Sequence, residues 1–157
     1  MKTGIIAADA GHIPAIAANM RKADREELGA AWCMTPLECM INGLAHSDRA
    51  WTGLIDGTPV CMFGCVPASI LGNAGRPWMV ATKLLDEHPL AFLRRCRGCV
   101  AQMRERFEVL ENYVDMRNTR AIEWLAWLGF SFRKRPELIG PYGMPFLKFE
   151  MRKPVES

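Results

Sequence analysis

The segment Asn118-Thr119-Arg120-Ala121-Ile122-Glu123-Trp124-Leu125-Ala126-Trp127-Leu128-Gly129-Phe130 reads as a short helix with both ends specified. Asn118 is a natural N-cap, because its side-chain oxygen can accept from a free N–H of the first turn. Ala121, Ile122, Leu125 and Leu128 fall on one face and should be buried. Gly129 stands where a helix ends in the left-handed conformation that glycine tolerates. Phe130 then starts a strand inside the core. Trp124 and Trp127 are three apart, so one should be buried and the other partly exposed.

Working outward from this helix, residues 109–116 alternate, with Leu110, Val114 and Met116 on one face of a strand. Residues 90–107 form the best helix of the chain. Phe92, Cys96, Cys99, Val100, Met103 and Phe107 recur mostly at spacings of three and four. Residues 78–82 read as another strand. Strand, helix, strand and helix thus follow one another from Trp78 to Gly129. Such a crossover predicts that the two strands are parallel neighbours. Upstream, Asp56-Gly57 joins apolar runs at 50–55 and 58–66 and predicts a hairpin. Gly64 suggests a bulge. Thr35-Pro36-Leu37-Glu38 carries a capping Thr, a Pro at the first helical position and a Glu at the third, so a helix should run to His46. Asp24 and Glu27 have the same capping-box spacing. Residues 12–20 read as one Ala-rich helix and residues 4–8 as a first strand. Downstream, residues 130–133 and 146–151 read as closing strands around the loop Gly140-Pro141-Tyr142-Gly143. The expected class is α/β with a mixed sheet, in a single domain spanning residues 1–157.

Composition excludes several functions. The chain has 157 residues, half of them hydrophobic, and a net charge of +3. Disorder needs fewer apolar residues and more charge. The longest run without a charged residue, 57–75, is broken by Pro59, Gly64, Pro67 and Gly72, so no membrane span is expected. Lys2 is followed by too short an apolar run for a signal peptide. The expected location is therefore cytoplasmic. A charge of +3 is too small to argue for nucleic acid by itself, and nucleic acid is not the expected partner. The six cysteines lie mostly in apolar runs and read as reduced core thiols. Cys96 and Cys99 have C-x-x-C spacing but fall within the long helix and lack a knuckle partner. His12, His46 and His88 are dispersed, so no metal site is expected.

The layout, with Asn118, Ala121, Leu128, Gly129 and Phe130 at their positions, resembles the GNAT fold of acetyl-CoA-dependent N-acetyltransferases. The match covers about 50 residues well and the first 70 by order of elements. Met20 to Leu28, Trp51-Thr52-Gly53, Pro77-Trp78, Asn112 to Asp115 and Asn118 further resemble a family of phage and prophage proteins. That family is related to the internal virion protein of short-tailed phages. This narrower resemblance implies a phage or prophage origin and a place in the host cytoplasm or the virion.

The GNAT resemblance implies acetyl-CoA as cofactor and an amine as acceptor. The cofactor slot would lie between splayed strands, at Val80, Ala81, Thr82 and from Val114 to Asn118. In that family the cofactor's pyrophosphate rests on a Gln/Arg-x-x-Gly-x-Gly/Ala loop at the start of the long helix, where free N–H groups and the helix dipole favour anions. Residues 83–92 contain no glycine. The nearest fragment, Arg95 to Val100, falls inside the helix. Arg94 and Arg95, with Arg97, Arg104 and Arg106, give the long helix a basic side that could meet the cofactor's phosphates or nucleic acid; the plain alternative is a solvated helix face balanced by Glu105 and Glu108. The family's proton donor is a Tyr four residues before the Gly of Gly-Phe, and Leu125 stands there. Tyr113 and Tyr142 are the phenols that could replace it, with Asn118 at the reacting end. Glu111 and Asp115 read as paired or solvated strand residues. Two functions follow: an acetyl-CoA-dependent N-acetyltransferase with a degenerate cofactor motif, or a non-catalytic GNAT-fold protein that contacts a phage or host protein.

Overall fold

The computed structural model describes residues 1–152. It opens with β1 (Thr3–Ala7), a 3-10 turn (Ala10–His12), α1 (Ile13–Ala18), α2 (Lys22–Trp32) and α3 (Pro36–His46). Next come β2 (Arg49–Ile55), β3 (Thr58–Pro67) and β4 (Ala74–Ala81), then α4 (Lys83–Glu87) and α5 (Pro89–Arg106). The chain closes with β5 (Val109–Asp115), α6 (Thr119–Leu128), β6 (Ser131–Phe132), β7 (Glu137–Ile139) and β8 (Met144–Arg152). Among the described residues, the eight strands form one mixed sheet in the order β1-β2-β3-β4-β5-β8-β6, with β7 added to β8.

Alternation on the central strands separates two cores. Cys61, Phe63, Cys65 and Ala81 point towards α5 and α6, where Phe92, Cys96, Cys99 and Met103 meet them. Met62 and Val80 point the other way, to Ile13, Ile16, Leu28 and Met40 of α1, α2 and α3. Period-two alternation of apolar residues on both sides of a strand requires cover on both faces. Helices supply it. The result is helices, sheet, helices: the expected α/β class.

The parallel pair is the feature that matters for function. β4 and β5 pair only at Ala74↔Val109 and Gly75↔Leu110. Beyond those two rungs the strands part. β4 stays on β3 as far as Ala81, and β5 stays on β8 as far as Asp115.

Several local expectations need correction. Residues 12–20 do not form one helix: Asp9 caps a 3-10 turn reciprocally with His12, and α1 begins only at Ile13. The bulge is at Val60, since Gly53 pairs with Cys61 and Leu54 with Pro59. Gly64 keeps regular pairing; a Cβ there would lie 2.7 Å from the Arg49 carbonyl oxygen, so it permits close approach. β4 begins at Ala74 rather than Trp78, because Gly75 lets the strand pass against Cys65 and Phe107. The Asp56-Gly57 hairpin forms with both residues at positive φ, and the Thr35/Glu38 capping box forms reciprocally.

Candidate active site

Where β4 and β5 part, a cavity of about 290 Å³ opens. Glu27, Leu28, Trp32 and Cys39 of the α2 and α3 layer line it, and so do Leu93, Val100, Leu125 and Leu128 of the α5 and α6 layer. Residues from both layers reach it, so it passes between the strands. Val80, Ala81, Val114 and Asn118 form its walls at the sheet, and Tyr113 lines it too.

Two carboxylates of α2 close the gap in the ladder. The Ala81 N–H donates to Asp24 Oδ2 at 3.0 Å, and the Asp115 N–H donates to Glu27 Oε1 at 2.7 Å. In a continuous sheet such N–H groups would meet a neighbouring strand; buried and unpaired they would be costly. Asp24 also receives Arg21 Nη1 at 2.9 Å and Asn118 Nδ2 at 3.1 Å. Arg21 is 6% exposed and lies over the Trp124 ring, 4.8 Å from its centre.

Burial sets the acidity of these groups. Glu27 is half-buried beside the cavity, and desolvation pushes its carboxyl up to about 8, with Asp24 and Asp115 adding repulsion against the Asp115 N–H that lowers it. Desolvation also raises Asp24, opposed by Arg21 and by the donors from Ala81 and Asn118. At about 8, the Glu27 carboxyl can hold or accept a proton near neutral pH. The phenol of Tyr113 is raised by burial and by the Glu137 carboxylate.

The expected site residues are distributed unevenly. Val80, Ala81, Asn118 and Tyr113 meet at the cavity. Thr82 is buried just beyond, its hydroxyl bonded to the Val60 carbonyl oxygen at 2.9 Å. Tyr142 is 75% exposed in the β7–β8 turn, away from the lining. Arg94 and Arg95 are exposed on α5 and also outside the lining. Arg97, beside them, stacks on Trp127 of α6 at 3.9 Å. Asn118 stands at the N-cap position of α6, as expected, but its side chain makes no capping hydrogen bond. Its side chain, buried among Arg21 and Asp24, turns to those charged partners instead of the helix end. Glu111 pairs with Lys148 at 3.4 Å, and Asp115 with Arg117 at 2.7 Å.

The residues that sequence reading missed are Asp24, Glu27 and Arg21. Asp24 and Glu27 are not a capping box: α2 starts at Lys22, and both turn inwards. A signal was present. Asp24, Leu28 and Ala31 share one helical face, so an acid lies in line with the apolar stripe.

Whether the site suits acetyl-CoA divides at its two ends. The cavity, walled by Val80, Ala81, Val114 and Asn118, suits the narrow thioester arm. The phosphate end is different. Residues 83–87 are wound into α4, and Gly98 is an exposed position inside α5. Among the described residues no group of three His, Cys, Asp or Glu could hold a metal. Also among them, no helix is long and apolar enough to cross a membrane.

This sheet, parted between β4 and β5 and covered on both faces, is the GNAT acetyltransferase fold. Comparison with solved structures shows the same. A ribosomal-protein-alanine N-acetyltransferase from Brucella melitensis is similar at a TM-score of 0.73 and 14% identity, over 96% of this chain and 99% of that one. Spermidine N-acetyltransferase from Vibrio cholerae, in complex with CoA and spermine, gives 0.70 at 11% identity, over 96% and 95%. A GNAT-family acetyltransferase from Streptococcus pneumoniae gives 0.66 at 16% identity, over 97% and 100%. At these identities the likeness is one of fold. No family model and no curated protein matches the sequence.

Proposed function

We propose that the protein is an acyl-CoA-dependent N-acyltransferase, with acetyl-CoA as the donor, whose reaction takes place in the cavity between β4 and β5. The observation that carries this reading is geometric: the Glu27 carboxyl, held by the Asp115 N–H at 2.7 Å, lines a cavity that threads the parted strands, and burial raises its pKa to about 8. Bound there, acetyl-CoA would supply a thioester carbonyl for an amine to attack. Val80, Ala81 and Val114 would hold the thioester arm. Glu27 would take the proton that the attacking amine loses as the C–N bond forms. Tyr113 is the phenol lining the cavity that would give a proton to the leaving thiolate; Leu125 offers none. Asn118 positions Asp24 and Arg21 at the end of the slot. Arg94 and Arg95 would act only on the ligand's outer part, and Tyr142 only if the β7–β8 turn reached in. Thr82 holds the end of β4 in place through Val60.

The test is thiol release from acetyl-CoA with a panel of primary amines. Amine-dependent release, lowered about 100-fold or more by Glu27→Gln, is expected. Release equal to the buffer rate with every amine would contradict the reading.

The filling of residues 83–87 by α4 favours a second reading, in which the cofactor motif is degenerate and the fold is non-catalytic. The narrower resemblance, with its phage origin, would make that protein a virion component or a partner of a host protein in the cytoplasm. Under it, neither acetyl-CoA nor CoA would stabilise the chain at millimolar concentration.

A further inference from the structure

Arg21, Asp86 and Arg120 meet just outside the cavity lining. Arg21 touches three lining residues, Asp24, Asn118 and Trp124. On its outer side its Nε lies 3.5 Å from Asp86 Oδ1. The same carboxylate oxygen takes Arg120 Nε at 3.0 Å, and Arg120 Nη2 donates to the Asp86 carbonyl oxygen at 2.7 Å. The three residues come from the start of α2, from α4 and from the first turn of α6. They converge at the point where β4 ends and α6 begins, next to Asn118.

We propose that Arg21 and Arg120 are the anion site for the phosphate end of a CoA-type ligand, and that Asp86 holds this site closed by occupying it. The inference rests on the acyltransferase reading. Guanidinium groups receive carboxylate and phosphate through the same planar donors, so one internal carboxylate can stand where a phosphate would bind. Arg21 is nearly buried, which makes its position fixed; a fixed guanidinium costs little ordering when an anion arrives. Arg120 and Asp86 are both partly exposed, at 46% and 36% of their side chains, so their pairing can exchange with a ligand in solution. The pair also explains how a chain with no glycine at residues 83–92 could still receive phosphates: side chains replace backbone N–H groups. Arg21 keeps Asp24 as a partner when Asp86 is neutralised, so the fold does not depend on the outer pair.

Calorimetry on the full chain with CoA and with pantetheine, which lacks the phosphates, tests this. The wild type should bind the two within a few-fold of each other. Asp86→Asn should tighten CoA on the order of tenfold and leave pantetheine unchanged. Adding Arg120→Gln to Asp86→Asn should remove the gain, and thermal unfolding of each variant checks that it is folded. Equal CoA affinity in wild type and Asp86→Asn would overturn the inference while leaving the acyltransferase reading intact. Failure of every variant to bind either ligand would overturn both.

Discussion

Glu27 shows how one residue couples the fold to its chemistry. Its carboxyl has an ordinary value of 4.5 and is raised to about 8 by burial. Between those limits the folded chain holds a proton that the unfolded chain releases. Stability is therefore greatest below pH 4.5 as far as this group is concerned, and it is lost as pH rises through 8. Asp24, also raised, adds a slope of the same sign. Urea unfolding from pH 5 to 9 should show Glu27→Gln flatter in pH and more stable than wild type at pH 9. A wild-type stability that rises over this range would contradict the assignment. If acyl transfer is observed, its rate should rise with an apparent pKa near 8 that Glu27→Gln abolishes. Asp24 differs from Glu27 in having a buried guanidinium partner, Arg21 at 2.9 Å. Asp24→Ala strands a buried Arg21 and the Ala81 N–H, and should cost about 3–5 kcal/mol in urea unfolding. Asp24→Asn, which keeps an acceptor for Ala81, should cost less.

Among the elements, α2 positions both carboxylates, and the β7–β8 turn braces its end. Gly140 has φ of +80°, and a Cβ there would lie 1.8 Å from the Ala30 carbonyl oxygen. Gly140→Ala should lower stability by about 1–3 kcal/mol in thermal or urea unfolding. Gly98, in open space on α5, provides the contrast: Gly98→Ala should stabilise by about 0.5–1 kcal/mol. The same contrast explains what sequence could convey. The α5 stripe, the Asp56-Gly57 turn and the Thr35/Glu38 box are local signals, and each formed where its residues lie. Asp24 and Glu27 carry the same three-residue spacing as that box. Spacing places both on one helical face but does not say which face meets the sheet. That depends on the strands β4 and β5, whose free N–H groups, 57 and 88 residues further along, draw the carboxylates in. Asn118 was legible as the residue at the parting of the strands and not in its hydrogen bonds, for the same reason. α4 and β7, at five and three residues, are too short for periodicity to reveal.

At the scale of the molecule, the parted pair β4 and β5 gathers residues from distant parts of the chain. α2 brings Arg21, Asp24 and Glu27 to it, and the start of α6 brings Asn118 and Arg120. The two cysteines that line the cavity stay as neutral packing groups: burial pushes Cys96 up to about 12 and Cys39 up to about 11. The gap between β4 and β5 is proposed as a ligand slot and not merely a packing defect closed by α2. Titration of the 15N-labelled chain with acetyl-CoA, followed through backbone amide signals, distinguishes the two. Val80, Ala81, Val114, Asp115 and Asn118 should shift together and saturate. Absence of any shift at millimolar acetyl-CoA, or shifts that leave these five residues unmoved, would contradict the proposal.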